Sequence, residues 1–324
     1  MSQLARYHSL ITTALEGLEF PAQPAELYDP IRYTLAMGGK RMRPVLVLMG
    51  CELMGGKAEV AIQPALGIEV FHNFTLLHDD IMDEAPLRRG RPTVHTKWNN
   101  NIAILSGDVM FVEACRLMSK APLAALSSVL DVFYKASGDV CEGQQWDMNF
   151  EGQDTVVLSE YLNMIRLKTA VLLGAALQIG AECAGASKED AERLYEFGCH
   201  LGVAFQLQDD VLDVFGDPAV FGKQAGGDIL SNKKTYLKLR ALEKANVEQA
   251  EQLRRWYSSK DFDSITKVEA VTRLFEDLNV REDAEAEMNA HFQLAMKHLH
   301  EVNGSQAHKD ELTAFARDLM VRVK

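Results

Sequence analysis

The 324-residue sequence predicts an all-α protein. Apolar residues recur at i, i+3, i+4 and i+7 along nearly the whole chain, the period of a helix with one buried face. Alternating runs closed by Asn-Gly or Asp-Gly, the mark of β-hairpins, are missing. Helix start and stop signals punctuate the pattern.

Taken in order, the opening MSQLARYHSLITTALEGLEF lacks the apolar core and cleavage pattern of a signal peptide. Asp29-Pro30 reads as an N-cap followed by proline at the first helical position, opening PIRYTLAMGG, which Gly38-Gly39 ends. An apolar helix then runs into LLHDDIMD, residues 76–83. The segment Ser159–Ala186 contains LKTAVLLGAALQIGAECAG, apolar almost all round, as expected at the centre of a bundle. Ser187 with Asp190 three residues on resembles a capping box before AERLYEFGCHLGVAFQLQ. Charge-rich helices from Leu237 to Lys324 read as an outer layer. No Gly/Ser linker, low-complexity tract or solenoid-period repeat divides the chain, so residues 1–324 read as a single all-α domain.

Composition narrows the function. Hydrophobic content of 47% and charged content of 25% are those of an ordinary globular protein. A formal net charge of −12 argues against nucleic acid as a partner. It leaves small anions open, because metals and a few local Lys or Arg reverse the field within one cleft. Five scattered cysteines, odd in number and without C-x-x-C, predict a reduced, cytoplasmic protein. No run of about 18 apolar residues occurs, which predicts no membrane span.

The chemistry concentrates in two aspartate clusters. HDDIMD places Asp79, Asp80 and Asp83 at i, i+1 and i+4; FQLQDDVLD places Asp209, Asp210 and Asp213 at the same spacing. Like charges one helical turn apart repel by roughly 0.2–0.5 kcal/mol per pair. One such cluster reads equally well as a solvated helix end. Two copies, each ending a strongly apolar helix, read as carboxylates gathered around cations. Oxygen ligands without His or Cys suit Mg²⁺, which keeps waters and shares its shell with substrate phosphates. The expected ligand is therefore a phosphate or diphosphate ester.

Basic residues collect at a few points: Lys40, Arg41 and Arg43 in GGKRMRP, Arg88 and Arg89 in LRRG, Lys168 in LKT, and Lys223, Lys233 and Lys234 in FGKQAGGDILSNKKT. Each alone is ordinary surface charge. Lys168 is different, because its helix is apolar on most sides and a lysine there needs an anion or carboxylate. GDPAVFGKQ imitates a P-loop, but its spacing is one residue too long and Gln224 replaces Ser/Thr.

In this order, GGKRMRP, HDDIMD with LRRG, KT, and FQLQDDVLD with FGKQAGGD resemble the motif set of the trans-isoprenyl diphosphate synthases, or polyprenyl synthetases. The resemblance implies an isoprenoid-synthase-type helical bundle around a deep central cavity, as a homodimer. In that family the two aspartate motifs face each other at the cavity mouth. Carried over, Asp79, Asp83 and Asp209 are the main Mg²⁺ ligands, with Asp80, Asp210 and Asp213 supporting, and three Mg²⁺ hold an allylic diphosphate. Arg88, Lys168 and Lys223 bind that diphosphate, with Lys233 nearby. Lys40, Arg43, His72 and Arg89 bind isopentenyl diphosphate. Thr169 and Gln206 line the reacting carbons, and Gln144 and Asp147 in EGQQWDM the cavity wall.

Product length should be set along the helix of the first motif. At about 1.5 Å rise per residue, Phe74 lies roughly 7.5 Å below Asp79 and Phe71 about 12 Å below. A small residue five before the first aspartate accompanies long products in the family; here Phe74, beside Thr75, can form a floor and Phe71 a second. That implies farnesyl or geranylgeranyl diphosphate. The alternatives fit less well. A terpene cyclase normally carries an Asn/Ser/Glu-type second motif, an HD-type phosphohydrolase built on His72, His78 and Asp79 leaves the second cluster unexplained, and a non-catalytic partner subunit typically loses aspartates.

Overall fold

The computed structural model describes residues 3–216, 226–258 and 263–321. Among these residues the regular structure is helical, except for one antiparallel pairing of Leu87–Arg88 with Arg91–Pro92. The chain forms two compact units: Met1–Lys135 with Ala175–Tyr195 and Asn303–His308, and Ala136–Gly174 with Glu196–Val302 and Lys309–Lys324.

In the first unit the helix Ile62–Met82 packs against Met42–Leu53 and Asn100–Met118. It buries every residue from Pro64 to Phe71 and emerges only towards its C-terminal aspartates. Met42–Leu53 is likewise buried throughout from Pro44. Ser187 caps the helix Lys188–Phe215 as expected, its Oγ accepting the Asp190 N–H at 3.1 Å. The hydroxyl returns a bond to the Asp190 carboxylate at 2.8 Å, so the reciprocal half of the box runs through side chains.

Two local readings are corrected here. The helix expected from Pro30 begins at Ala25, behind Pro24, and holds Pro30 inside it. Pro30 offers no N–H to the helix, yet Pro30, Ile31 and Thr34 are buried, and that packing outweighs one missing bond. The Asp29 carboxylate accepts from Arg32 at 2.7 Å instead of capping the chain. The small hairpin was not expected either. Its turn residues Arg89 and Gly90 have φ of 53° and 74°. Such a turn needs two positive φ values, usually signalled by Asn-Gly.

In the second unit, Val203, Leu207, Val211 and Val214 share a core with Tyr161, Ile165, Leu237, Val271, Phe275 and Val280. The helices after Leu237 therefore contribute core residues rather than forming an outer layer only. The long apolar helix expected over 159–186 is interrupted. Leu158–Ile165 passes through a π-helical turn, Arg166–Ala170, before Val171–Cys183 resumes the α-helix. By length and composition, Ala58–Met82 and Leu158–Cys183 could each cross a membrane, but 61% and 72% of those windows are buried within the protein, as in core helices.

Candidate active site

The first motif sits where the helix Ile62–Met82 runs out. Asp79 is half-buried and Asp83, the C-terminal cap, is exposed, its N–H donating to the Asp79 carbonyl at 2.8 Å. Asp80 turns inward. It is buried, and Arg88 from the hairpin grips it with Nε donating at 2.8 and 2.9 Å to its two oxygens. That bidentate pair anchors the arginine hairpin to the motif.

Beside it, Lys40, Arg43, His72 and Arg89 line a cavity of about 400 Å³ with Arg41 and Glu69. The four residues attributed to one diphosphate by resemblance thus converge. Arg41, with left-handed backbone at φ 47°, is neutralised by the buried Glu69. Arg43 Nη1 donates to His72 Nε2 at 3.1 Å. A guanidinium only donates, so this imidazole nitrogen accepts. His72 is accordingly held well below its usual pKa, by burial first and then by Arg43, Arg89, Arg88 and Arg41. Burial also pushes Arg43 down to about 10, which leaves it charged at neutral pH. Its Nε is buried without a hydrogen-bond partner. Gly39, at φ 132°, is needed here: a Cβ would lie 2.8 Å from both terminal nitrogens of Arg89.

Below the motif, Phe71 and Phe74 join a ring cluster. Phe74 stands 5.5 Å from Phe111 and 5.6 Å from Phe71; Phe71 stands 5.4 Å from Phe133. Phe71 is fully buried and Phe74 half-buried. Thr75 bonds the His72 carbonyl through its hydroxyl at 2.8 Å. Phe111 and Phe133 were missed by sequence reasoning, since nothing local ties them to residue 74. His78 Nε2 lies 3.2 Å from the Ile104 carbonyl, so that nitrogen carries a proton and is no metal ligand.

In the second unit, Asp147, Lys168, Thr169, Gln206, Asp210 and Lys233 line a cavity of about 200 Å³. Lys168 and Thr169 come from the π turn; such turns place side chains out of α-helical phase and are frequent at functional sites. Gly143 allows the neighbouring helix to pack there, since a Cβ would fall 2.3 Å from the Lys168 amide nitrogen. Lys168 donates to Asp147 at 2.5 Å, the carboxylate its apolar helix required. The Thr169 hydroxyl donates to Gln206 at 3.4 Å. Gln144 is buried with its amide oxygen unpartnered.

The second motif divides as the first does. Asp210 is buried and accepts the Tyr161 hydroxyl at 2.5 Å and the Tyr236 N–H at 3.2 Å. Burial pushes its carboxyl up to about 7, against the Tyr161 bond, with the Asp228 charge adding to the rise. Asp213 accepts the Asp228 N–H at 2.9 Å. Asp209 is half-buried. Lys233 lies 3.7 Å from Asp228. Lys223 falls outside the described residues. Tyr161 and Tyr236 were missed, each lying far from residue 210 in sequence.

The donor chemistry fits Mg²⁺. Both motifs offer only carboxylate oxygens, and among the described residues no set of three or more His, Cys, Asp or Glu gathers tightly enough to hold a metal alone. Such a site draws the rest of the metal's shell from water and substrate phosphate.

Two carboxylate clusters towards the ends of helices, and two cavities lined by basic residues, are the features expected of a helical enzyme that handles diphosphate esters. The model of the polyprenyl synthetase family matches residues 24–275. The chain is 41% identical over 247 residues to the geranylgeranyl diphosphate synthase of Methanosarcina mazei, spanning 75% of this chain and 76% of that one. It is similar to a crystal structure of a geranylgeranyl pyrophosphate synthase, with TM-score 0.95, 43% identity and 100% of both chains covered. A geranylgeranyl pyrophosphate synthase from Corynebacterium glutamicum, solved with isoprenyl diphosphate and magnesium, matches with TM-score 0.84 and 28% identity over 98% of each chain. The chain belongs to the polyprenyl synthetase family, has the all-α isoprenyl synthase fold and is a prenyltransferase.

Proposed function

We propose that the protein is a Mg²⁺-dependent synthase that condenses isopentenyl diphosphate with an allylic diphosphate, releasing a linear short-chain prenyl diphosphate and diphosphate. The observation that carries this reading is the cavity lined by Lys40, Arg43, His72 and Arg89. It combines fixed cations with a neutral imidazole. That is the chemistry of a diphosphate site, and it is assigned to isopentenyl diphosphate.

Asp79, Asp83 and Asp209 are the proposed principal ligands of about three Mg²⁺, with Asp80, Asp210 and Asp213 holding the motifs in shape. When bound, Mg²⁺ stabilises the negative charge that departs with the allylic diphosphate. Arg88, Lys168, Lys223 and Lys233 bind the same group. The oxygens of Thr169 and Gln206 present dipoles to the allylic cation, and the apolar walls with Gln144 and Asp147 keep water from it. The alkene of isopentenyl diphosphate attacks that cation, and the released diphosphate takes the final proton. No protein base is required.

The half-buried Phe74 above the fully buried Phe71 supports a short product, farnesyl or geranylgeranyl. The proposal extends to one catalytic domain over residues 1–324, in a cytoplasmic homodimer. Five free cysteines support the compartment. Ile104, Leu105 and Val112, exposed on the helix Asn100–Met118, support a face covered by a second copy.

The test is an incubation of purified protein with Mg²⁺, labelled isopentenyl diphosphate and, separately, dimethylallyl, geranyl and farnesyl diphosphates. Linear products of fifteen or twenty carbons are expected. Folded protein that condenses none of these starters would overturn the reading, and longer chains would overturn the floor.

A further inference from the structure

Asn232 has a left-handed backbone, with φ of 57°. Few non-glycine residues adopt that conformation, although asparagine tolerates it best. Two lysines from different helices close on this residue. Lys267, in Ser264–Asp277, donates to the Asn232 side-chain oxygen at 2.5 Å, and Lys238, in Tyr236–Lys244, donates to its carbonyl at 3.3 Å. Both lysines are buried, Lys267 completely. Their ammonium groups also lie 3.7 and 5.4 Å from the ring centre of Tyr257, Lys238 the nearer. Burying two ammonium groups around one amide is costly; it drives Lys238 down to about 8. So costly an arrangement is out of proportion to fixing a plain surface turn.

The turn it fixes serves the second motif. Gly226 N–H donates to the Asp213 carbonyl at 2.7 Å, Asp228 N–H to the Asp213 carboxylate at 2.9 Å, and Tyr236 N–H to the Asp210 carboxylate at 3.2 Å. Between these amides, Asn232 N–H donates to Ile229 and Lys233 N–H to Asp228, at 3.2 and 3.0 Å. From Gly226 and Asp228, bonded to Asp213, the chain thus turns at Asn232 and reaches Asp210 through Tyr236, with Lys233 on the cavity wall.

We infer that Asn232 is a positioning residue: its left-handed turn, clamped by Lys238 and Lys267, sets the amides that orient Asp210 and Asp213 and brings Lys233 to the diphosphate side. The inference rests on the proposed synthase reading. Asn232→Gly keeps the backbone conformation and removes only the side-chain acceptor. Asn232→Asp keeps the acceptor.

Three readouts on the full chain test it. The first is Mg²⁺-dependent binding of inorganic diphosphate by calorimetry; the second is amide hydrogen exchange over residues 226–240; the third is steady-state kinetics. Losing a bond to a charged donor should weaken diphosphate binding and raise the KM for the allylic substrate about tenfold or more. The KM for isopentenyl diphosphate, assigned to other residues, should stay within about twofold, the ordinary scatter of single substitutions remote from a site. The amides of Asp228 and Tyr236 should exchange faster, and Asn232→Asp should restore all three readouts. If Asn232→Gly fails to fold, Lys267→Met, which removes the donor, should show the same pattern. Wild-type exchange and diphosphate affinity in Asn232→Gly would overturn the inference. So would faster exchange with unchanged diphosphate affinity, which marks a purely structural turn. Wild-type protein that binds diphosphate but condenses no prenyl substrate would sink the synthase reading instead, while the first two readouts still decide Asn232.

Discussion

Substituting Phe74 by alanine should lengthen the product by one isoprene unit. Phe74 lies five residues before Asp79 and Phe71 eight, so removing the upper ring lowers the floor by three residues, about 4.5 Å along the helix. That step is comparable with the length of one isoprene unit. Extension should stop there, because Phe71 is fully buried and backed by Phe133 at 5.4 Å. Truncating a fully buried phenylalanine costs about 3–5 kcal/mol. Phe74 is only half-buried, which brings the cost to about 2 kcal/mol and leaves the protein folded. Products of wild type and variant would be dephosphorylated and sized by reversed-phase chromatography, with thermal melts run in parallel. An unchanged product distribution in folded Phe74→Ala would return Phe74 to plain core packing. An equal shift in Phe133→Leu would show that loosening the whole ring cluster, rather than clearing the floor, sets chain length.

Asp79→Ala and Asp209→Ala should each lower turnover by at least about 10²-fold with melting behaviour retained; near-normal turnover in either would remove that aspartate from the metal set. His72 is held neutral, its pKa lying well below the usual value, so His72→Gln should leave the shape of the pH profile of the KM for isopentenyl diphosphate unchanged between pH 6 and 8; a profile displaced by that substitution would show an imidazolium in the cavity. A different histidine should govern acid stability. His200 and His291 share a hydrogen bond at 2.9 Å between their Nδ1 atoms, which requires one ring to be neutral. Burial and then His291 lower His200 to about 4. A depressed folded-state pKa contributes stability above pH 6.5 that is lost as pH falls from 6.5 towards 4. The thermal midpoint should drop over that window, and His200→Gln should flatten the slope; an unchanged slope would place the acid sensitivity elsewhere.

The residues legible in the sequence were those whose chemistry repeats locally. Two DDxxD clusters are costly without a cation, and Lys168 in an apolar helix demanded the carboxylate it finds in Asp147. Helix existence was equally plain, because periodicity survives whatever the tertiary packing does. What escaped depends on distant partners. Arg41 stands beside Lys40 and Arg43 in GGKRMRP, and only the fold pairs it with Glu69. The π turn at Arg166–Ala170 has no composition signal, and the close approach of helix Leu126–Gly152 at Gly143 involves residues distant in sequence. Pro30 misled for the same reason: a local start signal yielded to burial of the helix around it.

The basic cavity of the first unit also governs how fast substrate arrives. The chain carries a formal charge of −12, while Lys40, Arg41, Arg43 and Arg89 are gathered within one recess. An approaching anion therefore meets repulsion at long range and attraction only on entry. Ionic screening acts over about 8 Å at physiological salt, so it weakens the outer repulsion more than the enclosed attraction. Moderate salt should accelerate substrate capture, the reverse of an enzyme that steers its ligand with an oppositely charged surface.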